Sequence, residues 1–289
     1  ISNSDLCVTV STDGAEMTSI RSAVSGVEYL WQGDPKFWKR HAPVLFPIVG
    51  SLWEGRYRLS GKEYELRQHG FARDMAFDVV RQDGHSVELK LDSTPDTLKL
   101  YPFPFELTAV YRIQGKDLHV AYAVHNPSAT SDMFFQLGAH PAFCYQGFSP
   151  SDGVHGYFKM DGSGISYRMI GDKSCLDESS SCILHTDADG MLPLTNEVFA
   201  NDAWVIEGGQ IHRVTLLDRH KRPVLTLQSQ APVFGLWSPA GKNAPFVCIE
   251  PWHGRCDAEH FTGEFPDKAW VNKLSPSGTF TFEYIISIC

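Results

Sequence analysis

The feature that most constrains this chain is an alternation of apolar and polar residues with a period of two. Phe105, Leu107, Ala109, Tyr111 and Ile113 alternate with Glu106, Thr108, Val110 and Arg112. Leu118, Val120, Tyr122 and Val124 alternate with His119, Ala121, Ala123 and His125. Near the end, Phe280, Phe282, Tyr284, Ile286 and Ile288 alternate with Thr281, Glu283, Ile285 and Ser287. Successive side chains of a strand point to opposite faces, so each run predicts a strand with one buried face. Gln114-Gly115-Lys116 joins the first two as a hairpin, and Ser60-Gly61 and Asp83-Gly84 mark two more. Further strands are expected at 87–91, 133–137, 203–206, 211–217, 224–228 and 246–250.

Helical pattern is scarce. Asp34-Pro35 predicts a short helix ending near Arg40, and Thr94-Pro95 predicts a turn or two before Tyr101. No strand alternates with a long helix, which argues against a parallel βαβ fold. The expected architecture is all-β, a large antiparallel β-sandwich of many strands. The stretch 146–181 is rich in Gly, Ser and Asp and reads as an excursion between strands or a boundary. Short β runs resume after it without a change in composition, so residues 1–289 are read as one domain. The 43% of hydrophobic residues can fill a core of that size.

A formal net charge of −9 argues against nucleic acid as a partner, since phosphate backbones require a basic face. A small anion is still compatible, because a few arginines in one cleft act locally. No apolar run approaches a membrane span, and the opening Ile-Ser-Asn-Ser-Asp is unlike a secretory leader. The seven cysteines are odd in number, irregularly spaced and free of any Cys-x-x-Cys pair. They read as free thiols in a reducing compartment, so a cytoplasmic location is expected. Cys175 and Cys182, if oxidised, would close a short loop. Gly-x-Gly-x-x-Gly, Walker, Gly-x-Ser-x-Gly and His-Glu-x-x-His motifs are absent, and His253 and His260 sit on no regular element. No metal and no cofactor are expected.

Four segments differ from ordinary strand or turn sequence. They are Lys39-Arg40-His41-Ala42-Pro43-Val44-Leu45-Phe46-Pro47, Gln68-His69-Gly70-Phe71-Ala72-Arg73-Asp74, Gly138-Ala139-His140-Pro141-Ala142-Phe143, and Ile249-Glu250-Pro251-Trp252. Each sets polar or ionisable residues beside Gly or Pro and aromatics. Sugar clefts have this texture: rigid backbone, a few directed polar groups, and aromatic faces for the apolar side of a pyranose.

In this order and spacing, the four blocks resemble the aldose 1-epimerase (galactose mutarotase-like) family, in particular its LacX-like branch. The resemblance covers nearly the whole chain, from about Trp38 to Leu274. It implies a β "supersandwich" with a cleft in one sheet. It also implies His140 as general acid, Glu250 as general base, and Arg40 and His69 as binders of sugar oxygens. Asp202 falls in the block that supplies a sugar-binding aspartate, and Arg73 at a position tied to phosphate contact in hexose-6-phosphate members. The implied ligand is a small sugar or sugar phosphate, handled by a monomer or homodimer.

The implied reaction explains the residue types. Anomers interconvert by opening the hemiacetal: a base takes the C1 hydroxyl proton while an acid protonates the ring oxygen. The aldehyde then rotates, and the ring closes on its other face with the roles reversed. A carboxylate with an ordinary pKa of about 4.3 and a histidine near about 6.5 can divide these roles after modest shifts. No hydride moves and no carbanion forms. Three rival readings stand beside this one, among them a family member turned regulator or partner subunit. A carbohydrate-binding sandwich needs the aromatic platform but not the acid–base pair. A glycoside hydrolase usually needs two carboxylates. His119, His125, His185, His212 and His220 read as ordinary structural histidines.

Overall fold

The alternating runs build the larger of two large antiparallel sheets, beside which stand three two-stranded ones. The structure, a computed structural model, describes residues 1–289. The larger sheet has nine strands in the order Leu192–Leu194, Gly156–Met160, Arg213–Asp218, Pro223–Ser229, Thr279–Ile288, Asp117–His125, Glu106–Gln114, Ser86–Asp92 and Asp78–Gln82. Leu107, Ala109, Tyr111, Leu118, Val120, Tyr122, Tyr284 and Ile286 are all buried, as the period of two requires. The hairpin at Gly115-Lys116 closes with Gln114 opposite Asp117, and that at Ser60-Gly61 with Leu59 opposite Lys62. Ser60 and Gly61 both adopt positive φ, the conformation that matches a two-residue turn to the twist of its strands.

The smaller sheet has eight strands. Cys182–Ile183, Ser166–Met169, Trp204–Glu207, Val233–Trp237, Phe246–His253, Leu137–Ala139 and Val44–Leu45 form one path, and Ala142–Cys144 pairs with Phe246–His253 beside it. The largest core cluster draws on both sheets and runs in sequence from Leu6 to Ile288. Strand Phe246–His253 shows how the smaller sheet differs from the larger. Val247 and Ile249 join that core, whereas Cys248 and Trp252, on the alternate face, belong to two satellite clusters. Both faces are therefore covered, which is why this strand reads as an apolar run rather than an alternation.

Two local expectations are corrected. Asp34-Pro35 starts a single turn, not a helix: Asp34 O accepts from the N–H of Phe37 and Trp38, both at 3.0 Å, and the chain then turns away. The expected strand 133–137 divides at Gln136. Met133–Phe135 pairs with Asn272–Leu274, while Leu137–Ala139 joins the eight-stranded sheet. The helix before Tyr101 forms as Pro95–Leu100, capped by Thr94. The stretch 146–181 contributes strands Gly156–Met160 and Ser166–Met169, one to each large sheet. All seven cysteines are free thiols, Cys175 and Cys182 included. No helix is long and apolar enough to cross a membrane.

Candidate active site

The site follows from the register of three strands. Leu137 pairs with His253, Gly138 with Trp252, and Ala142 with Cys248, one continuous antiparallel register. His140 lies in the interruption between the two short strands and so falls opposite Glu250. Pro141 supplies the interruption, because it has no N–H for the ladder. His140 Nε2 and Glu250 Oε2 lie 3.2 Å apart, and both side chains are buried. On the other flank, Glu250 pairs with Gly235. A Cβ at Gly235 would come within 2.4 Å of the Trp252 indole, and one at Gly138 within 2.7 Å. The two glycines thus open the space in which Trp252 lies across the sheet. Its Nε1–H is buried without a hydrogen-bond partner and favours negative charge on Glu250.

His69 reaches the same place from a loop. It has φ 65° and its Nδ1 accepts from the Gly50 N–H at 3.0 Å. That bond leaves the proton of the neutral ring on Nε2, a fixed donor. Gly70 lets the loop approach so closely: a Cβ there would lie 2.2 Å from Phe46 O. The His69 and His140 rings are 5.5 Å apart, edge to face. Trp38 stacks on His140 at 4.8 Å, and Trp237 meets it edge-on at 5.6 Å.

Electrostatics at this buried floor follow from desolvation. Desolvation pushes Glu250 well above the usual carboxylate range, and nearby Asp202 adds to the shift. Desolvation also pulls His140 down to about 3, reinforced by Arg73 and then by Arg40. His69 is likewise held well below its ordinary value by burial, His140, Arg73 and Arg40. Both shifts favour the neutral forms, a protonated Glu250 beside an unprotonated His140. An imidazolium–carboxylate pair contains the same number of protons. The two forms differ by one proton moved across 3.2 Å.

The pair forms the floor of a cavity of about 810 Å³. His69, Arg73, His140, Asp202 and Glu250 all line it. Arg73 sits in the short 3₁₀ turn Ala72–Asp74; one guanidinium nitrogen donates to Gln68 O at 2.5 Å, and Nε is buried and unpartnered. Burial and the neighbouring Arg40 lower its pKa to about 10. Asp202 has φ 71° and uses Oδ1 to accept from the Ala203 N–H. Arg40 lies behind this wall. It donates to Asp74 Oδ1 at 2.6 Å and to Arg73 O at 3.3 Å, and it acts on the histidines through its field. Sequence reasoning did not assign Trp38, Trp237 or Cys248 to the site. Tryptophan and cysteine in strand-like segments usually read as core. Only the spacing of Cys248 two residues before Glu250 on one strand face signals its place. His140, Cys248 and Glu250 bring possible metal-ligand atoms within 4.8 Å of one another. Burial holds the Cys248 thiol well above its usual pKa, which opposes the thiolate that such a site would need.

A profile described as Aldose 1-epimerase matches residues 1–270. The chain belongs to the aldose 1-epimerase family. Among curated relatives of this family member is chromosomal protein LacX of Lactococcus lactis subsp. lactis, 30% identical over 299 residues, covering 100% of this chain and 98% of LacX. A galactose mutarotase related enzyme from Lactobacillus acidophilus superimposes with a TM-score of 0.91 at 33% identity, covering 100% of this chain and 96% of that one. A galactose mutarotase-like protein from Lactobacillus casei ATCC 334 gives 0.93 at 30% identity, covering 100% and 99%. The aldose 1-epimerase family member thus shares their galactose mutarotase-like fold over its full length.

Proposed function

We propose that this aldose 1-epimerase family member is a mutarotase that interconverts the α and β anomers of an aldose by acid–base opening and closing of the ring. One observation carries the reading: a histidine and a glutamate lie 3.2 Å apart, both buried, at the floor of one cavity. A binding module has no use for such a pair, and burying it is unfavourable unless function requires it.

The sugar's C1 hydroxyl and ring oxygen lie against the pair. Hydrogen bonds from sugar hydroxyls favour the carboxylate form of Glu250, so its proton passes to His140. Glu250 then takes the C1 hydroxyl proton while His140 Nε2–H protonates the ring oxygen. The C1–ring oxygen bond breaks and a C1 carbonyl forms. Rotation about C1–C2 presents the other face, the ring closes, and both protons return. His69 Nε2–H and Arg73 donate to sugar oxygens, and Asp202 accepts from a hydroxyl. Trp38 and Trp237 hold the His140 ring between them. Each positioned proton-transfer group supplies about 10²–10⁴-fold. We also propose a cytoplasmic location, on the free state of all seven thiols.

Anomer exchange followed by NMR tests the reading, on glucose, galactose and glucose 6-phosphate with a chelator present. Faster exchange of at least one sugar is expected. Binding of sugars without acceleration of any would replace this reading with a carbohydrate-binding protein.

A further inference from the structure

Cys248 is buried beside His140 and Glu250 and takes no part in the acid–base chemistry. It lies two residues before Glu250 on one strand, so both side chains share a face. Its cross-strand partner is Ala142, two residues after His140. One donor atom from each of His140, Cys248 and Glu250 lies within 4.8 Å of the other two, and all three residues are buried. A tetrahedral zinc ion with bonds of about 2.0–2.3 Å holds its donors about 3.3–3.7 Å apart. His140 Nε2 and Glu250 Oε2, at 3.2 Å, already span one such edge. A small rotation of the Cys248 side chain completes the other two. Glu250 Oε2 and His140 Nδ1 are buried without hydrogen-bond partners, so the cluster holds polar atoms that the protein itself leaves unfilled.

Charge balance decides what can enter. Burial favours the protonated, neutral forms of Glu250 and Cys248 and the unprotonated form of His140. A lone thiolate or carboxylate there is an uncompensated buried charge. A divalent cation changes this. As it binds, the Cys248 thiol and the Glu250 carboxyl each release a proton to solvent, and His140 gives a lone pair. One dication replaces two protons, so the centre stays neutral and burial no longer opposes the thiolate. Of the neighbouring groups, Arg73 and Arg40 act on His140 and on His69, and Asp202 acts on Glu250. The arginines are in excess, so a hard cation held by charge alone is disfavoured. Thiolate and imidazole donors select a zinc-like ion over magnesium or calcium.

We propose that His140, Cys248 and Glu250 form an inhibitory site for a thiophilic divalent cation of the zinc class. Three protein donors leave the fourth position to the cavity that His140 and Glu250 line, through which the ion enters. The bound ion occupies the His140 lone pair and the Glu250 carboxylate. On the mutarotase reading protons must pass through these two groups, so exchange stops while the ion is held. Metal binding itself does not depend on that reading.

Cobalt(II) and zinc are the probes, added to the full chain after chelator treatment. Cobalt should give a near-ultraviolet thiolate-to-metal charge-transfer band and the intense visible bands of a four-coordinate ion. Zinc should displace it and magnesium should not. Cys248→Ser should remove the charge-transfer band. Glu250→Gln should weaken cobalt binding by at least about tenfold, since even outer partners of metal ligands are worth that much. No band in the native chain would overturn the inference. So would the same band in folded Cys248→Ser, which would put the metal on another thiol such as Cys256, also in the cavity wall. If Cys248→Ser does not fold, Glu250→Gln decides, and unchanged cobalt affinity overturns the site. In the exchange assay zinc should slow turnover by at least about tenfold, reversibly with chelator, and undiminished exchange with the metal bound would overturn the inhibitory assignment. The expected cobalt spectrum from a protein that accelerates no sugar would leave the metal site standing and remove the mutarotase reading.

Discussion

His140 and Glu250 are buried side by side, and on the proposed mechanism this has measurable consequences. His140→Asn and Glu250→Gln should each lower anomer exchange by at least about 10²-fold with near-native circular dichroism. The pH profile follows from the directions of the shifts. The pair acts while it holds one proton. It gains a second on His140 only near pH 3, and it loses its last one only above the usual carboxylate range. Thus kcat/KM should stay level well below pH 6 and decline on the alkaline side, the apparent values belonging to the pair as a unit. A limb centred at an ordinary histidine value in His140's acidic titration would contradict this account. Stability carries the same information. Folded Glu250 keeps a proton that the unfolded chain loses above about pH 4.3, so the group reduces stability as pH rises through that window. Glu250→Gln should therefore raise Tm at pH 8 and leave it nearly unchanged at pH 4, by calorimetry at both pH values.

At the scale of elements, the site depends on strands that are short and interrupted. Gly235→Ala would drive a Cβ to 2.4 Å from the Trp252 indole and displace the ring that lies against Glu250. Exchange should fall, by about tenfold or more, with a smaller loss of stability of about 1–3 kcal/mol, read from exchange kinetics and urea unfolding. Interrupted elements are also where sequence reading reaches its limit. The long strands Glu106–Gln114, Asp117–His125 and Thr279–Ile288 are legible because one face is solvated and the period of two survives. Gln136 breaks the run 133–137 for a tertiary reason: its side chain accepts from Val49 N–H at 3.1 Å and donates to Ala269 O at 3.0 Å. The turn at Asp34 stops short of a helix where the Trp31 indole N–H, reaching over, bonds Trp38 O at 2.8 Å. The partners of Gln136 are far away in sequence, at Val49 and Ala269. Of the candidate residues, Arg40 does not line the cavity, whereas His69, Arg73, His140, Asp202 and Glu250 line it and were legible as a group. Trp38 and Trp237 were not, because a tryptophan that flanks a catalytic ring has the same local sequence as one that fills a core.

At the scale of the whole molecule, the cleft needs its framing loops held together, and a buried ion pair does this. Lys268 Nζ lies 2.6 Å from Asp257 Oδ1, with both side chains 2% exposed. The other carboxylate oxygen accepts from Trp53 N–H at 2.8 Å. The Asp257 backbone bonds Ser51 O at 2.9 Å and accepts from Leu176 N–H at 2.7 Å. One residue thereby joins the 51–53 loop, the segment after Cys175 and the Lys268 turn. Burial lowers the Lys268 pKa while Asp257 raises it, so desolvation outweighs attraction at the ammonium. Such a pair adds little net stability as formed, but breaking it leaves a buried charge unpaired. Lys268→Met should cost about 3–5 kcal/mol. At roughly 2–4 °C per kcal/mol for a chain of this size, Tm should fall by roughly 6–20 °C in a thermal melt. Adding Asp257→Leu removes the stranded charge and should recover part of the loss. Recovery should remain incomplete, because the Trp53 N–H then loses its acceptor. A double variant as unstable as Lys268→Met alone would mean that the loops are held by their backbone bonds and not by the pair.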